Sequence, residues 1–231
     1  MSTLYMVGTP IGNLGDITPR ALETFREADV IACEDTRHTL GLLTHFGIRK
    51  PLLSCRARNE AAAAQRVTAL LDQGKTVAYA SDAGTPGLSD PGAVLADAAR
   101  DGGHRVVPIP GPSAFASLLS AAGQVGKTVV FEGFLSPRAG RRNARLRELM
   151  ATGWGVLLYE SPFRVLKLLA AIADIDTERR VIVGRELTKV HEEILAGSAG
   201  EALEAFASRE KIQGEFSVLI GGTKNIEKNC T

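Results

Sequence analysis

The chain lacks most of the features that mark a secreted, membrane-bound or metal-centred protein. Its three cysteines, Cys33, Cys55 and Cys230, are odd in number and far apart. That argues against a disulfide framework or a zinc site and for a reducing, cytoplasmic setting. No apolar run approaches the ~20 residues of a membrane span. The first residues also lack the basic-then-apolar layout of a signal peptide. Four histidines, His38, His45, His104 and His191, are scattered, and none pairs at i,i+4 across a glutamate, so no metal is expected. A net charge of +1 gives no global reason to expect nucleic acid. The Gly-Lys-Ser/Thr of a phosphate loop and the Gly-x-Ser-x-Gly of a serine hydrolase are both missing. A dinucleotide fingerprint is also absent. Gly8, Gly12 and Gly15 have the wrong spacing, and the next helix opens only near Pro19, although Glu34 and Asp35 stand roughly where a ribose-binding acid belongs.

What is present is an alternation of short apolar runs with amphipathic stretches. A chain of this length can bury roughly 70–75% of its extended surface, enough for one large or two small α/β domains. Strands are expected at Leu4–Val7, Val30–Cys33, Pro51–Leu53, Val77–Ala80 and Val106–Ile109. Between them, Thr18-Pro19 reads as helix cap plus first turn, Asn59 as a cap, Asp90-Pro91 as a second cap-and-proline start, and Gly47 and Gly74 as stops. Strand, helix, strand in repeated order calls for a mostly parallel sheet. The rhythm pauses at Ala122–Lys127, the candidate linker, which suggests lobes over residues 1–122 and 123–222 with a tail over 223–231. In the second lobe strands are expected at Val129–Phe131, Val156–Tyr159, Val181–Val183, Ile194-Leu195 and Phe216–Ile220, close enough together for a mixed sheet. Ser161-Pro162 reads as opening a helix whose Phe163, Leu166, Leu169 and Ile172 share a face, and Ser198 to Glu201 has capping-box spacing.

Two loops carry the chemistry. Gly8 to Leu14 and Ser81 to Gly92 each follow a strand, and the second is far longer than a turn requires. The C-terminal edge of a parallel sheet is where helix N-termini and free amides meet ligands, so a small-molecule site is expected there. Arg138, Arg141, Arg142, Arg145 and Arg147 lie between Glu132 and Glu148 with no acid among them. They read equally as a solvated helix face or as a phosphate-contacting patch. Cys33, inside an apolar strand, reads as a buried small side chain.

Thr9-Pro10-Ile11-Gly12-Asn13-Leu14, Glu34-Asp35-Thr36-Arg37, Ser81 through Gly92, Pro110-Gly111-Pro112-Ser113-Ala114, Phe131-Glu132-Gly133-Phe134-Leu135, Tyr159-Glu160-Ser161-Pro162 and Arg185-Glu186-Leu187-Thr188-Lys189 occur in this order. Together they resemble the ribosomal small-subunit RNA (cytidine-2′-O)-methyltransferase family, a branch of the tetrapyrrole-methylase superfamily. The resemblance spans about residues 4 to 222. It implies two α/β lobes, S-adenosylmethionine in the cleft between them, a homodimer, no membrane association, and 16S ribosomal RNA in the 30S subunit as partner. Carried over by position, Ile11, Ala83, Gly84, Thr85, Leu88, Ser113, Ala114, Glu160 and Leu187 would bind the cofactor. Without the family, Leu88 and Leu187 read as core packing.

Methyl transfer to a ribose hydroxyl needs alignment and help in losing a proton. The expected groups are Asp35 or Glu186 for the proton, with Arg37 and Lys189 holding phosphate or lowering the hydroxyl pKa. An ion-pair network is the equal alternative for each. Asn13, with Asp16, is expected to contact the target nucleoside, and Arg138, Arg141, Arg142 and Arg145 the RNA. In relatives the resemblance implies a small helical C-terminal extension, and His where this chain has Phe163. Two rivals remain: a tetrapyrrole C-methyltransferase, disfavoured by the first loop and the arginines, and a non-catalytic S-adenosylmethionine-binding ribosome-assembly protein.

Overall fold

The computed structural model describes residues 2–56, 58 and 60–223. The expected cap Asn59, Cys230 and the tail from residue 224 lie outside the described residues. The chain divides into two compact units, Met1–Ser113 and Ala114–Thr231. Among the described residues no helix is long and apolar enough to cross a membrane.

The first unit is a five-stranded sheet built from β1 (Thr3–Val7), β2 (Val30–Cys33), β3 (Leu52–Ser54), β4 (Val77–Ala80) and β5 (Arg105–Ile109). The strands run in the order β3-β2-β4-β1-β5, and every pairing is parallel. Parallel neighbours force crossovers, supplied by α1 (Pro19–Glu27), α2 (Thr36–His45), α3 (Glu60–Asp72) and α4 (Ala93–Asp101). Successive strand residues serve opposite cores. Leu4, Ala32, Val77 and Tyr79 pack with Ala63, Val67, Leu71, Leu95 and Ala99 of α3 and α4. Val7, Ile31, Ala78 and Ala80 pack with Ala21, Phe25 and Leu43 of α1 and α2. Both faces are therefore covered, which is why these strands read as unbroken apolar runs. Burying a side chain such as Phe25, wholly inside, contributes roughly 1.5–3 kcal/mol.

Local signals place α1 as expected: the Thr18 hydroxyl accepts from the Ala21 N–H at 3.1 Å, with Pro19 in the first turn. The Asp90-Pro91 start is corrected. Helix α4 begins at Ala93, its cap is Gly92 at φ 135°, and no side chain caps it. The Gly92 N–H instead donates to Glu60 Oε1 at 2.8 Å, a contact from another helix that outweighs the local cap. Cys33 and Cys55 are buried free thiols, and burial pushes both pKa values up, Cys55 to about 11.

The second unit contains α5 (Ala114–Ala121), β6 (Val129–Phe134), α6 (Ala139–Ala151), β7 (Gly155–Glu160), α7 (Val165–Ile175), β8 (Arg180–Arg185), β9 (Glu193–Ser198), α8 (Ala199–Ala207) and β10 (Phe216–Ile220). Its order is β6-β7-β10-β8-β9. Only β6 and β7 pair in parallel, so the sheet is mixed. Leu146, Leu149, Leu168, Leu169, Ile172, Ala202 and Phe206 from α6, α7 and α8 close one core over it. Leu118 of α5 lies where a Cβ on Gly184 would sit, at 2.9 Å. Helix α5 and the Ala122–Lys127 stretch thus belong to this unit, the latter tied in by Gly222 N–H to Val125 O at 3.0 Å. The capping box forms: Ser198 and Glu201 satisfy each other's backbone N–H. The helix expected from Ser161-Pro162 is corrected. Residues 161–164 make a turn, with Ser161 O accepting from Arg164 N and Val165 N, and α7 starts at Val165. Phe163 is therefore off the apolar face formed by Leu169 and Ile172 and stands 88% exposed.

Candidate functional site

In the first unit, the strand ends of β1, β2, β4 and β5 bring four loops to one edge. Thr9 and Gly84 exchange both backbone hydrogen bonds, at 2.9 and 3.0 Å, which locks the first loop to the long one. A buried hydroxyl adds to the tie, Thr9 Oγ1 donating to Ser81 O at 3.4 Å. Gly84 takes φ 80°, and a Cβ there would lie 3.2 Å from Ile11 Cγ2, so Ile11 closes directly over the glycine. Thr85 Oγ1 donates to Pro112 O at 3.2 Å, which joins the loop after β4 to the loop after β5. Gly8 and Gly111 approach backbone to backbone. The sequence reading grouped Ile11, Gly84, Thr85 and Ser113, and these contacts gather Ile11, Gly84 and Thr85 around Pro112, the residue before Ser113. Ala83 and Thr85 are exposed. Leu88 is 40% exposed, so it is not a core residue.

Ser113 carries the most telling polar atom: its Oγ is buried and has no hydrogen-bond partner. A buried hydroxyl without a protein partner is costly unless water or a bound group satisfies it. Ala114 opens the helix that follows. Small residues, glycine backbones and one waiting hydroxyl fit a ligand that lies close against main chain.

Next to these loops is an acidic set that was read only in part. Asp35 caps α2, its Oδ1 accepting from Arg37 N at 2.9 Å, and it pairs with the Arg37 guanidinium at 3.0 Å. That hydrogen bond to the guanidinium, then the backbone N–H, hold the Asp35 carboxyl down to about 2. Asp82 Oδ1 accepts from Asp35 N at 2.9 Å. Glu34 behaves oppositely. Burial first, then the negative charges of Asp82 and Asp90, push its carboxyl above the ordinary value. Sequence reasoning weighed Glu34 only as a ribose-binding acid and did not single out Asp82, because which neighbour of a strand end faces its like charges depends on the pairing of β2 with β4. Asn13 is exposed and uses its side-chain oxygen to cap the short 3-10 turn Leu14–Asp16.

In the second unit the chain after β8 is strained. Glu186 and Thr188 have φ of 49° and 68°, a conformation that side-chain-bearing residues rarely take and that concentrates at functional loops. Glu186 Oε1 accepts from Lys189 Nζ at 2.9 Å and from the Glu215 N–H at 2.8 Å. Lys189 Nζ also reaches Glu215 Oε2 at 2.9 Å. Burial raises the Glu186 carboxyl, but the Glu215 N–H and the ammonium outweigh it, leaving it below its ordinary value. The sequence reading gave Glu186 and Lys189 separate roles; here they form an ion pair, and Glu215, which completes the cluster, arrives from distant sequence. Thr188 Oγ1 is a second buried hydroxyl without a partner. Leu187 is buried, its side chain beside Gly184, as core packing requires. Glu160 is buried, and its Oε1 pairs with Arg164 at 2.6 Å and with the Ser161 N–H at 2.8 Å.

The arginine segment sorts into three kinds. Arg138, Arg141 and Arg147 are exposed. Arg142 is only 7% exposed, inside the α6 face that carries Leu146 and Leu149. Arg145 is clamped by Glu132 at 2.7 and 2.8 Å and by Glu148 at 3.2 Å, the two acids that bracket the run. The run is therefore less free than its sequence suggests, and Arg142 is part of the fold.

Comparison with known proteins fits this geometry. The family described as Tetrapyrrole (Corrin/Porphyrin) Methylases matches residues 3–203. A "Ribosomal RNA small subunit methyltransferase I" of Borrelia garinii subsp. bavariensis is 44% identical over 218 residues, 94% of this chain and 97% of its own. The protein of the same name from Thermotoga maritima is 43% identical over 222 residues, covering 96% and 99%. Among solved structures, a diphthine synthase aligns with TM-score 0.74 at 13% identity, covering 96% of this chain and 90% of its own. The methyltransferase CobJ aligns with TM-score 0.71 at 18% identity, covering 96% and 95%. At those identities the structures share the fold.

Proposed function

The chain belongs to the ribosomal RNA small subunit methyltransferase I family within the tetrapyrrole methylases, and from that membership we propose that it methylates the ribose 2′-hydroxyl of cytidine 1402 in 16S ribosomal RNA. The observation that carries this reading is identity of 43–44% along nearly the full length of relatives so named. S-adenosylmethionine is the proposed methyl donor. The unpartnered Ser113 hydroxyl and the exposed Ala83 and Thr85 beside the Gly84–Ile11 contact fit such a group. Ala83, Thr85 and Leu88 are proposed to line it from the loop that carries Gly84, and Ala114, Glu160 and Leu187 are further proposed cofactor residues by family membership. The donor supplies an electrophilic methyl carbon activated by the neighbouring sulfonium.

The protein's own task is to orient the acceptor oxygen, exclude water and take a proton. Basicity ranks the carboxylates. Asp35, held at about 2, and Glu186, held low by Lys189, are poor proton acceptors. Glu34, raised by burial and by Asp82, is the better base, and Asp35 is assigned to capping α2 and holding Arg37. Arg37 and Lys189 are proposed to meet phosphate or the developing alkoxide, and Asn13 the target nucleoside. The enzyme is proposed to act as a cytoplasmic homodimer, for which sedimentation equilibrium is the check.

The deciding experiment incubates the protein with methyl-labelled S-adenosylmethionine and 30S subunits from a strain lacking this modification, then maps ribose methylation. Label on the named cytidine is the expected result. Transfer only to a uroporphyrinogen or precorrin would overturn the assignment, and cofactor binding without transfer to either would leave a sensor.

A further inference from the structure

Strand direction gathers several exposed side chains at one edge of the second unit. Because β7 and β8 both run antiparallel to β10, and β6 is parallel to β7, the C-terminal ends of β6, β7 and β8 lie together. Two large apolar side chains stand in solvent there: Phe134, the last residue of β6, is 56% exposed, and Phe163, on the turn after β7, is 88% exposed. The Phe134 ring and the turn that carries Phe163 are each anchored. The Phe134 ring packs edge-on against Tyr159 at 5.8 Å between centroids. The Phe163 turn is anchored by its neighbour Arg164, which donates to Leu135 O at 3.4 Å and pairs with buried Glu160. Two exposed aromatics at one sheet edge are apolar surface that a partner can use.

The charges beside these rings narrow the choice of partner. The chain leaves Phe134 through Leu135 and turns into α6, whose Arg138 and Arg141 are exposed. Among the described residues neither is paired with a carboxylate, and the first turn of α6 carries no acid. A second copy of the chain would want an apolar patch depleted of charge at its centre. Exposed aromatic faces beside unpaired guanidinium groups instead match the surfaces on which single-stranded nucleic acid stacks its bases and rests its phosphates.

We propose that Phe163 and Phe134 form a stacking platform for unpaired bases of the substrate RNA, with Arg138 and Arg141 taking the adjacent phosphates. This rests on the rRNA methyltransferase reading and names the surface through which that substrate is gripped.

The test compares wild type with Phe163→Ala, Phe134→Ala, Phe163→Trp and an Arg138→Ala/Arg141→Ala double variant. The readouts are binding to unmodified 30S subunits, KM and kcat, cofactor affinity, and sedimentation equilibrium of the free protein. Each alanine at a ring is expected to weaken 30S binding about tenfold and to raise KM, with kcat and cofactor affinity within about twofold. Phe163→Trp should bind as wild type, and the arginine pair should flatten the salt dependence by about two phosphates. Unchanged 30S binding in both ring variants, with wild type active, overturns the platform and leaves the function intact. A monomer–dimer shift without loss of RNA binding also overturns it, in favour of a second copy. If wild type binds 30S subunits through these rings but transfers no methyl group, the methyltransferase reading falls and the platform stands.

Discussion

Gly8 and Gly111 touch through their main chains: a Cβ on Gly8 would sit 2.8 Å from Gly111 N and Cα, and one on Gly111 would sit 2.7 Å from Gly8 O. The contact joins the ends of β1 and β5, already paired as neighbours, at the mouth of the loops that carry Ile11 and Ser113. Both obstacles are backbone, so no side-chain rotation can relieve them. Gly111→Ala is expected to push the two loops apart and weaken S-adenosylmethionine binding more than tenfold by calorimetry. A variant with unchanged affinity would detach the cofactor from this edge.

A glycine elsewhere should behave in the opposite way. Gly41 lies inside α2, and a Cβ there meets nothing within 4 Å. Gly41→Ala is expected to stabilise the protein by about 0.5–1 kcal/mol, raising the melting temperature by roughly 1–4 °C without altering turnover. A fall in melting temperature would show that this turn of α2 does not tolerate a methyl group.

The acid limb of kcat/KM should separate Glu34 from Asp35. Glu34 is raised by burial and faces Asp82, Asp90 and Asp35, so its ionised, proton-accepting form grows in only above the ordinary carboxylate range of ~4.3. The limb is therefore expected above that value, and Glu34→Gln should remove most of the activity. Asp35 is depressed to about 2 and is ionised throughout the working range. Its contribution to stability is present above its unfolded value of ~3.9 and is lost as the pH falls through about 2. Asp35→Asn should keep the limb and move it only slightly downward, because Asp35 is the smallest of the charges that raise Glu34. A limb that is lost with Asp35→Asn and kept with Glu34→Gln would exchange the two roles.

The strand framework was legible because burial on both faces leaves apolar runs with sharp ends. Val30–Cys33, Val77–Ala80 and Phe216–Ile220 stand as read. Caps were legible where the partner is local, as at Thr18 and Ser198. They were not where tertiary contacts decide: Asp90-Pro91 lost to the Glu60–Gly92 hydrogen bond, and Ser161-Pro162 gave a turn whose Phe163 points away from the α7 core. The same division runs through the site. Glu186 and Lys189 were legible as candidate residues, whereas their ion pair with Glu215 and the Glu34–Asp82 apposition depend on how the chain folds. Arg142 read as surface because neighbouring arginines hid the apolar phase of α6.

Lys189 holds Glu186 and Glu215 together, so its removal should be visible in both stability and turnover. Its folded pKa is raised: although burial lowers it, hydrogen bonds from its ammonium to Glu186 and Glu215 outweigh that effect. Its stabilisation is thus fully present below the unfolded value of ~10.4 and is lost as the pH rises through the folded one. The Glu186 carboxyl is depressed, so its share is present above ~4.3 and is lost on acidification. Both groups are partly exposed, and Lys189→Met is expected to cost only about 0.5–1 kcal/mol in urea melts at pH 7, with the deficit closing by pH 3. The kcat for 30S subunits should fall at least tenfold. Full turnover in this variant would reduce the cluster to a loop fastener.

The three kinds of arginine make separable predictions for RNA binding. Arg141 is exposed and unpaired, so Arg141→Ala should leave thermal stability within about 0.5 kcal/mol and reduce the slope of log affinity against log salt by roughly 0.7–0.9, one phosphate contact. Arg142 is buried on the core side of α6 with its Nε unpartnered, and its hydrocarbon stem packs with that face. Arg142→Ala should lower stability by about 1–3 kcal/mol and leave the salt slope unchanged. Arg145 already spends its guanidinium on Glu132 and Glu148, so breaking it should affect the slope less than breaking Arg141. Filter binding of 30S subunits from 50 to 300 mM salt, run beside thermal melts, reads both axes. Equal slope changes at Arg141 and Arg142 would mean that α6 presents a different face to RNA from the one it presents in the folded chain.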